Sequence, residues 1–232
     1  MRPSIILDFE LVSRDGVERR QVPVHAAIVG GWSGRDKEAL QHHIDELAKI
    51  GVAPPAKTPL FYRVGVSRLS QASAIEVIGE GSSGEVEYLI LDLDGRLWIG
   101  AGSDHTDRAV EHMGITVAKQ LCDKPIARTL WPLDEVESHW DRLSLCSRII
   151  EDGATKLYQE GSVASLLAPR ELLARFADEG GCLAPGMLMF GGTCAVIGGV
   201  RHARRFMFEL VDPVLGRCIT HAYDVCPVPI VG

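Results

Sequence analysis

No apolar run in this 232-residue chain approaches the roughly 18 residues that a membrane-spanning helix needs. At the start, Asp8 and Glu10 fall inside what would be the apolar region of a secretory leader, so the expected location is the cytoplasm. A basic stripe is also missing. With a net charge of −7, neither nucleic acid nor an anionic membrane is an expected partner. The six cysteines (Cys122, Cys146, Cys182, Cys194, Cys218 and Cys226) contain no Cys-x-x-Cys pair, which argues against a zinc site or a disulfide framework. They read as small buried apolar residues of a reducing compartment. The glycine pairs Gly30-Gly31, Gly191-Gly192 and Gly198-Gly199 lack the strand–GxGxxG–helix context of a dinucleotide site. Repeats, low-complexity tracts and charge blocks are absent too.

What is present is an ample core, with 46% hydrophobic residues, in a length that suits one domain spanning residues 1–232. Residues 1–24 would supply N-terminal strands or a small subdomain. Alternation predicts strands over 5–12, 21–24, 25–29, 60–66, 74–78, 85–90 and 96–99. Apolar positions at Ala39, Leu40, Ile44, Leu47, Ala48 and Ile50 predict an amphipathic helix over 37–50, capped by Asp36 and stopped by Gly51. Further helices are expected over 107–122 and 169–179, with a shorter helical or turn segment over 132–140. Strands are expected over 145–150, 156–159, 187–190, 195–197, 205–211 and 217–225. More strand than helix, irregularly ordered, indicates a β-dominated α+β fold.

The chemistry centres on Gly84-Glu85-Val86-Glu87-Tyr88-Leu89-Ile90. Residues two apart on a strand share a face, so Glu85 and Glu87 would project side by side. Such like charges raise each other's pKa unless a cation lies between them. A turn at Asp92-Leu93-Asp94-Gly95 would fold the next strand back and bring Asp104, in Gly102-Ser103-Asp104-His105, towards the pair. Three converging oxygen donors suit Mg²⁺, Mn²⁺ or Ca²⁺. The same Glu-x-Glu pattern also occurs on solvated strand faces, and the motif by itself leaves both readings open.

Five segments in order resemble the catalytic domain of the fumarylacetoacetate hydrolase family. Pro59-Leu60-Phe61-Tyr62-Arg63 is similar to its Pro-Leu-Phe-Phe-Lys strand, and Glu85-Val86-Glu87-Tyr88-Leu89-Ile90 to its Glu-x-Glu-Leu motif. Ser103-Asp104-His105-Thr106-Asp107-Arg108 resembles Asn-Asp-x-Ser-x-Arg. Ala118-Lys119-Gln120, followed by Trp131-Pro132-Leu133, resembles the Gly-Lys element and the loop after it. Leu183-Ala184-Pro185-Gly186-Met187 through Gly192-Thr193 resembles Leu-x-Pro-Gly-Asp…Gly-Thr, with Met187 in place of the aspartate. The resemblance covers roughly residues 25–225 and points to an uncharacterised bacterial branch. It implies a mixed β-roll or sandwich with peripheral helices, and a homodimer. It also implies Mg²⁺ or Mn²⁺ on Glu85, Glu87 and Asp104, with Ca²⁺ an option in crystals. Lys119 would stabilise a developing oxyanion, Arg108 would pair with a metal-bound carboxylate or with substrate, and Gly192 and Thr193 would contact substrate. His105, beside Asp104, would act in support or as acid or base.

One departure bears on mechanism. Family hydrolases carry a histidine after the first core strand, where this chain has Arg35 in Gly31-Trp32-Ser33-Gly34-Arg35-Asp36. Arginine stays protonated and cannot act as a base, which leaves Arg35 as a candidate substrate contact. His42 or His43, with Glu46, would then be the replacement base. The expected activity is hydrolytic C–C cleavage of a small 2,4-dioxo acid. The alternatives are a hydratase, decarboxylase or tautomerase of a 2-keto acid, and an inactive binding protein with the same fold.

Overall fold

A two-residue turn organises the centre of the molecule. In the computed structural model, which describes residues 3–49 and 53–231, Asp94 and Gly95 both adopt positive φ (55° and 83°). Such a turn matches the twist of a tight hairpin. Asp92 Oδ1 accepts a 2.8 Å hydrogen bond from the Gly95 N–H and locks it. The flanking strands, Val86–Leu93 and Arg96–Ser103, therefore pair antiparallel with Leu93 opposite Arg96 and Glu87 opposite Gly102.

These two strands lie in the middle of an eight-stranded mixed sheet. On one side follow Thr129–Pro132, Ile5–Ser13 and Gly16–Val24; on the other follow Met187–Thr193, Ala26–Gly31 and Leu60–Val64. The N-terminal hairpin is thus part of this sheet, joined through parallel pairing of Glu10 with Thr129. A five-stranded sheet runs in the order Ala154–Ser162, Ser144–Glu151, Arg205–Asp212, Arg217–Val228 and Ala74–Ile78.

Every residue of Val86–Leu93 is buried, because the strand has a core on each face. Tyr88 and Ile90 pack with Leu145, Ile149, Phe206 and Tyr223 of the five-stranded sheet. Leu89 and Leu91 face a second core, where Phe9, Leu11, Val29 and Phe190 of the large sheet close over them. Period two is preserved, but it divides two apolar environments instead of separating core from water.

The expected β-dominated α+β class is observed. Asp36 Oδ1 caps the helix Lys37–Lys49 by accepting from the N–H groups of Glu38 and Ala39. The expected stop at Ile50-Gly51 lies outside the described residues. Three other expectations need correction. The helix over 107–122 is broken into a 3₁₀ turn, Arg108–Met113, and an α-helix, Ile115–Leu121, because Gly114 sits at φ 146°, which no helix accommodates. Residues 195–197 form no strand; Val196 makes only an isolated bridge to Gln159. Of the cysteines, Cys182, Cys218 and Cys226 are exposed. Among the described residues, no helix is long and apolar enough to cross a membrane.

Tyr88 ties the hairpin to the rest of the core. Its hydroxyl donates to the Leu167 carbonyl at 2.6 Å, and its ring meets Trp140 edge-on with centroids 5.0 Å apart. Tyr88→Ala should lower the unfolding free energy by about 3–5 kcal/mol, the scale of emptying a buried aromatic site. Urea denaturation should show a lower midpoint with an unchanged slope.

Candidate metal and acid–base centre

The hairpin register brings the acidic residues together. Beyond the last paired residues, Val86 and Ser103, the ladder continues with the Asp104 N–H donating to the Glu85 carbonyl at 2.9 Å. Asp104 therefore stands opposite Glu85, and Glu87 shares the face of Glu85 two residues on. One carboxylate oxygen from each of Glu85, Glu87 and Asp104 lies within 4.8 Å of the others. Glu87 and Asp104 are buried and Glu85 is partly so.

The third element is the bulge at Gly191-Gly192, where the strand Met187–Thr193 slips against Val86–Leu93. It turns the Gly192 N–H onto Glu87 Oε2 at 2.8 Å. Gly192 has φ 117°, and a Cβ there would come within 2.0 Å of Ser33 Oγ, so no other residue fits. Behind the pair, the buried amide of Gln159 reaches across from the five-stranded sheet. It accepts from the Val86 N–H and donates to Thr193 Oγ1 and the Cys194 carbonyl. The backbone between Glu85 and Glu87 is thus held by both sheets.

Three cations compensate the acids. Lys119, buried on the helix after Gly114, donates from Nζ to Asp104 Oδ2, and its ammonium lies 5.6 Å from the Tyr62 ring centroid. Lys124, wholly buried, donates to the His105 carbonyl and places Nζ 3.1 Å from Asp104 Oδ1. Asp104 thus has an ammonium against each of its carboxylate oxygens. Arg108 forms ion pairs with Glu85 at 2.9 Å and Glu111 at 2.8 Å, and donates to Ser83 Oγ.

The carboxylates titrate apart for this reason. Burial opposes ionisation of Asp104, but Lys119 and Lys124 outweigh it and hold the carboxyl below its usual range. Glu87 moves the other way: burial raises its pKa well above normal, and Asp104 adds to the rise. Lys119 stays protonated because Asp104, Glu85 and Glu87 together overcome its burial.

The remaining sequence candidates fall into two groups. His105 is adjacent to Asp104 in the chain but does not present a free nitrogen: Nδ1 meets Tyr223 Oη and Nε2 meets Ser82 Oγ, each at 2.9 Å. Burial and the neighbouring Lys124 and Arg108 push its pKa down to about 3, so it is neutral. Arg35 pairs with Asp141 at 2.8 Å. The Gly192 N–H is committed to Glu87, and Thr193 Oγ1 accepts from Gln159 Nε2. His43 and Glu46 fall outside the residues whose side chains are described. Lys124, Tyr62 and Gln159 were not singled out from sequence. For Lys124 a signal existed, a lone lysine entering the apolar stretch Pro125-Ile126-Ala127.

A divalent cation fits the residues present. All three donors are carboxylate oxygens, which suits a hard ion, and a cation is the missing partner that would let Glu87 ionise.

This architecture is that of the fumarylacetoacetate hydrolase fold. A fumarylpyruvate hydrolase from Pseudomonas aeruginosa, solved with Mn²⁺ and pyruvate, superposes with a TM-score of 0.63 at 17% identity, covering 98% of this chain and 99% of that one. A yeast fumarylacetoacetate hydrolase family protein gives 0.63 at 16% identity, over 90% and 95% of the two chains. A 2-keto-3-deoxyarabinonate dehydratase gives 0.61 at 17% identity, over 92% and 78%. By sequence, residues 30–223 match DUF2848, described as a protein of unknown function, and the chain belongs to that family. No curated protein matches the sequence.

Two outcomes follow from the electrostatics. Lys124→Met should destabilise the fold by about 3–5 kcal/mol, because it leaves Asp104 with one fewer buried counter-charge. Lys124→Met with Asp104→Asn should recover part of that loss in a double-mutant denaturation cycle. Glu87 has a folded pKa above its unfolded one, so the stability it contributes is complete at low pH and is lost as pH rises through the folded value. Without metal, Glu87→Gln should therefore match the wild type in urea midpoint at pH 4 and exceed it at pH 8.

Proposed function

We propose that this protein is a divalent-metal-dependent enzyme that hydrolyses a C–C bond in a small 2,4-dioxo acid of the acylpyruvate type, with Mg²⁺ or Mn²⁺ as cofactor. The observation that carries this reading is the convergence of Glu85, Glu87 and Asp104 beside the buried ammonium of Lys119. Two of the fold neighbours are a hydrolase and a dehydratase, and the hydrolase was solved with Mn²⁺ and pyruvate.

Charge balance supports the substrate class. Glu85, Glu87, Asp104 and Glu111 face the three cations Arg108, Lys119 and Lys124, so a bound dication would leave the centre with a net positive charge. A 2-keto acid brings a carboxylate and, as the bond breaks, a second negative charge on the enolate oxygen. When bound, the ion would polarise the keto group and lower the energy of that enolate. The protein's own groups would do the rest. Lys119, held against the Tyr62 ring and Asp104, supplies a fixed cation to the developing charge. Arg108 holds Glu85 in position through their ion pair, and Gly192 orients Glu87 through its N–H. Hydrolysis also needs a base for water, and the His43–Glu46 pair is the assignment we retain for it.

One observation favours a second reading, decarboxylation or keto–enol tautomerisation on the same centre. His105 has both ring nitrogens occupied and Arg35 is paired with Asp141, and neither reaction requires a histidine-activated water. Product analysis separates the two: hydrolysis yields two acids, one carrying solvent ¹⁸O.

Mn²⁺ at about one hundred times its dissociation constant should stabilise the protein by about 2.7 kcal/mol, and Glu87→Gln should abolish most of that gain. Lys119→Met should lower kcat by about 10²–10³ with a smaller change in KM, followed by loss of dioxo-acid absorbance. Unchanged turnover would remove Lys119 from the mechanism.

A further inference from the structure

A pocket of about 300 Å³ has in its wall Tyr62 and Glu111, whose partners Lys119 and Arg108 contact the acidic centre. It is lined by Pro54, Pro55, Leu60 and Tyr62 on one side and by Glu111 and Met113 on the other, among others. Two of these residues connect it to the carboxylates. The Tyr62 ring faces the Lys119 ammonium, and Glu111 pairs with Arg108, which in turn pairs with Glu85. A 2-keto acid bound through an ion that Glu85, Glu87 and Asp104 would hold has this pocket, beyond Tyr62, as space for its remaining atoms.

Among the described residues, the lining contains no lysine or arginine. The nearby cations are accounted for elsewhere. Arg63 alternates with Tyr62 on the strand Leu60–Val64 and so projects to the opposite face, as Phe61 does in meeting the Phe176 ring at a tilt with centroids 4.8 Å apart. Lys57 pairs with Glu179 at 2.9 Å, and Arg35 with Asp141. The one charged residue in the wall with a resolved partner is Glu111, an acid. Among the described residues, His112, exposed at the rim, is the only lining group able to carry positive charge.

From this we infer that the substrate's distal group is uncharged and largely apolar, a short alkyl or aryl acyl tail, and that a tail ending in a carboxylate is rejected. The inference rests on the proposed 2-keto acid chemistry and narrows it. A second carboxylate in this pocket would lose its hydration against proline, leucine and methionine and would meet Glu111 at close range. An alkyl tail would instead bury methylene groups on those same side chains. The recognition is therefore by exclusion of charge as much as by apolar contact. This sets the chain apart from a site built for fumarylpyruvate, whose tail ends in an acid.

The test uses the Mn²⁺-loaded full chain and binding, not turnover. Calorimetry would compare oxalate, 2-ketohexanoate and 2-ketoadipate, which share the chelating end or its equivalent and differ in the tail. We expect 2-ketohexanoate to bind about tenfold or more tighter than 2-ketoadipate, a gap worth about 1.4 kcal/mol or more. Met113→Lys, at an exposed lining position, should raise 2-ketoadipate affinity several-fold and leave oxalate unchanged. His112→Ala should leave the preference intact. Equal or tighter binding of 2-ketoadipate by the wild type, with oxalate still bound, would overturn the tail assignment and spare the metal-dependent reading. Loss of the 2-keto acid preference in His112→Ala would also overturn it. Absence of Mn²⁺-dependent oxalate binding would bring down both.

Discussion

Three carboxylates held within 4.8 Å of one another repel, and much of the local structure is an arrangement that offsets this. Asp104 sits between two buried ammonium groups, Glu85 against Arg108, and Glu87 against the Gly192 N–H. Each compensating group comes from a different element. Lys119 needs the helix restarted after Gly114, Lys124 needs the short strand Lys124–Pro125 pairing with Leu69–Ser70, and Gly192 needs a bulge. Removing one partner from such a cluster leaves a charge without compensation in a low-dielectric site, which explains why the elements are mutually dependent.

The compensation is uneven, and that has a chemical consequence. Asp104 is over-supplied with positive charge while Glu87 is under-supplied, so the two carboxyls move to opposite sides of their normal range. A cation entering among the three would relieve Glu87 most. The centre thus pairs two of its carboxylates with cations and leaves Glu87 as the one that a further positive charge would relieve.

Rigid support comes from having cores on both faces of the central hairpin. Tyr88 and Ile90 pack one way and Leu89 and Leu91 the other, so the strand that carries Glu87 has little freedom to shift. Gln159 adds a polar cross-link from the second sheet, with all its hydrogen-bonding groups directed at the site's backbone or at side chains next to it.

The sequence by itself determined the acidic centre. An Asp-Gly turn sets the hairpin register, and with a period of two the register alone places Glu85, Glu87 and Asp104 on one face. The β-dominated class and most strands were legible for the same reason, since local alternation and turn chemistry act over a few residues. The broken helix at Gly114 was less so, because one glycine within a helical pattern is compatible with either outcome until packing decides. Only tertiary structure decided which cations meet the acids. Lys124 reads as an ordinary lysine along the chain; it becomes a counter-charge because the fold buries it beside Asp104. His105 likewise reads as a candidate acid or base next to Asp104, yet burial between Tyr223 and Ser82 turns its ring away from that task. Whether a titratable group pairs, faces a substrate or is walled in depends on neighbours distant in sequence, and no local pattern carries that information.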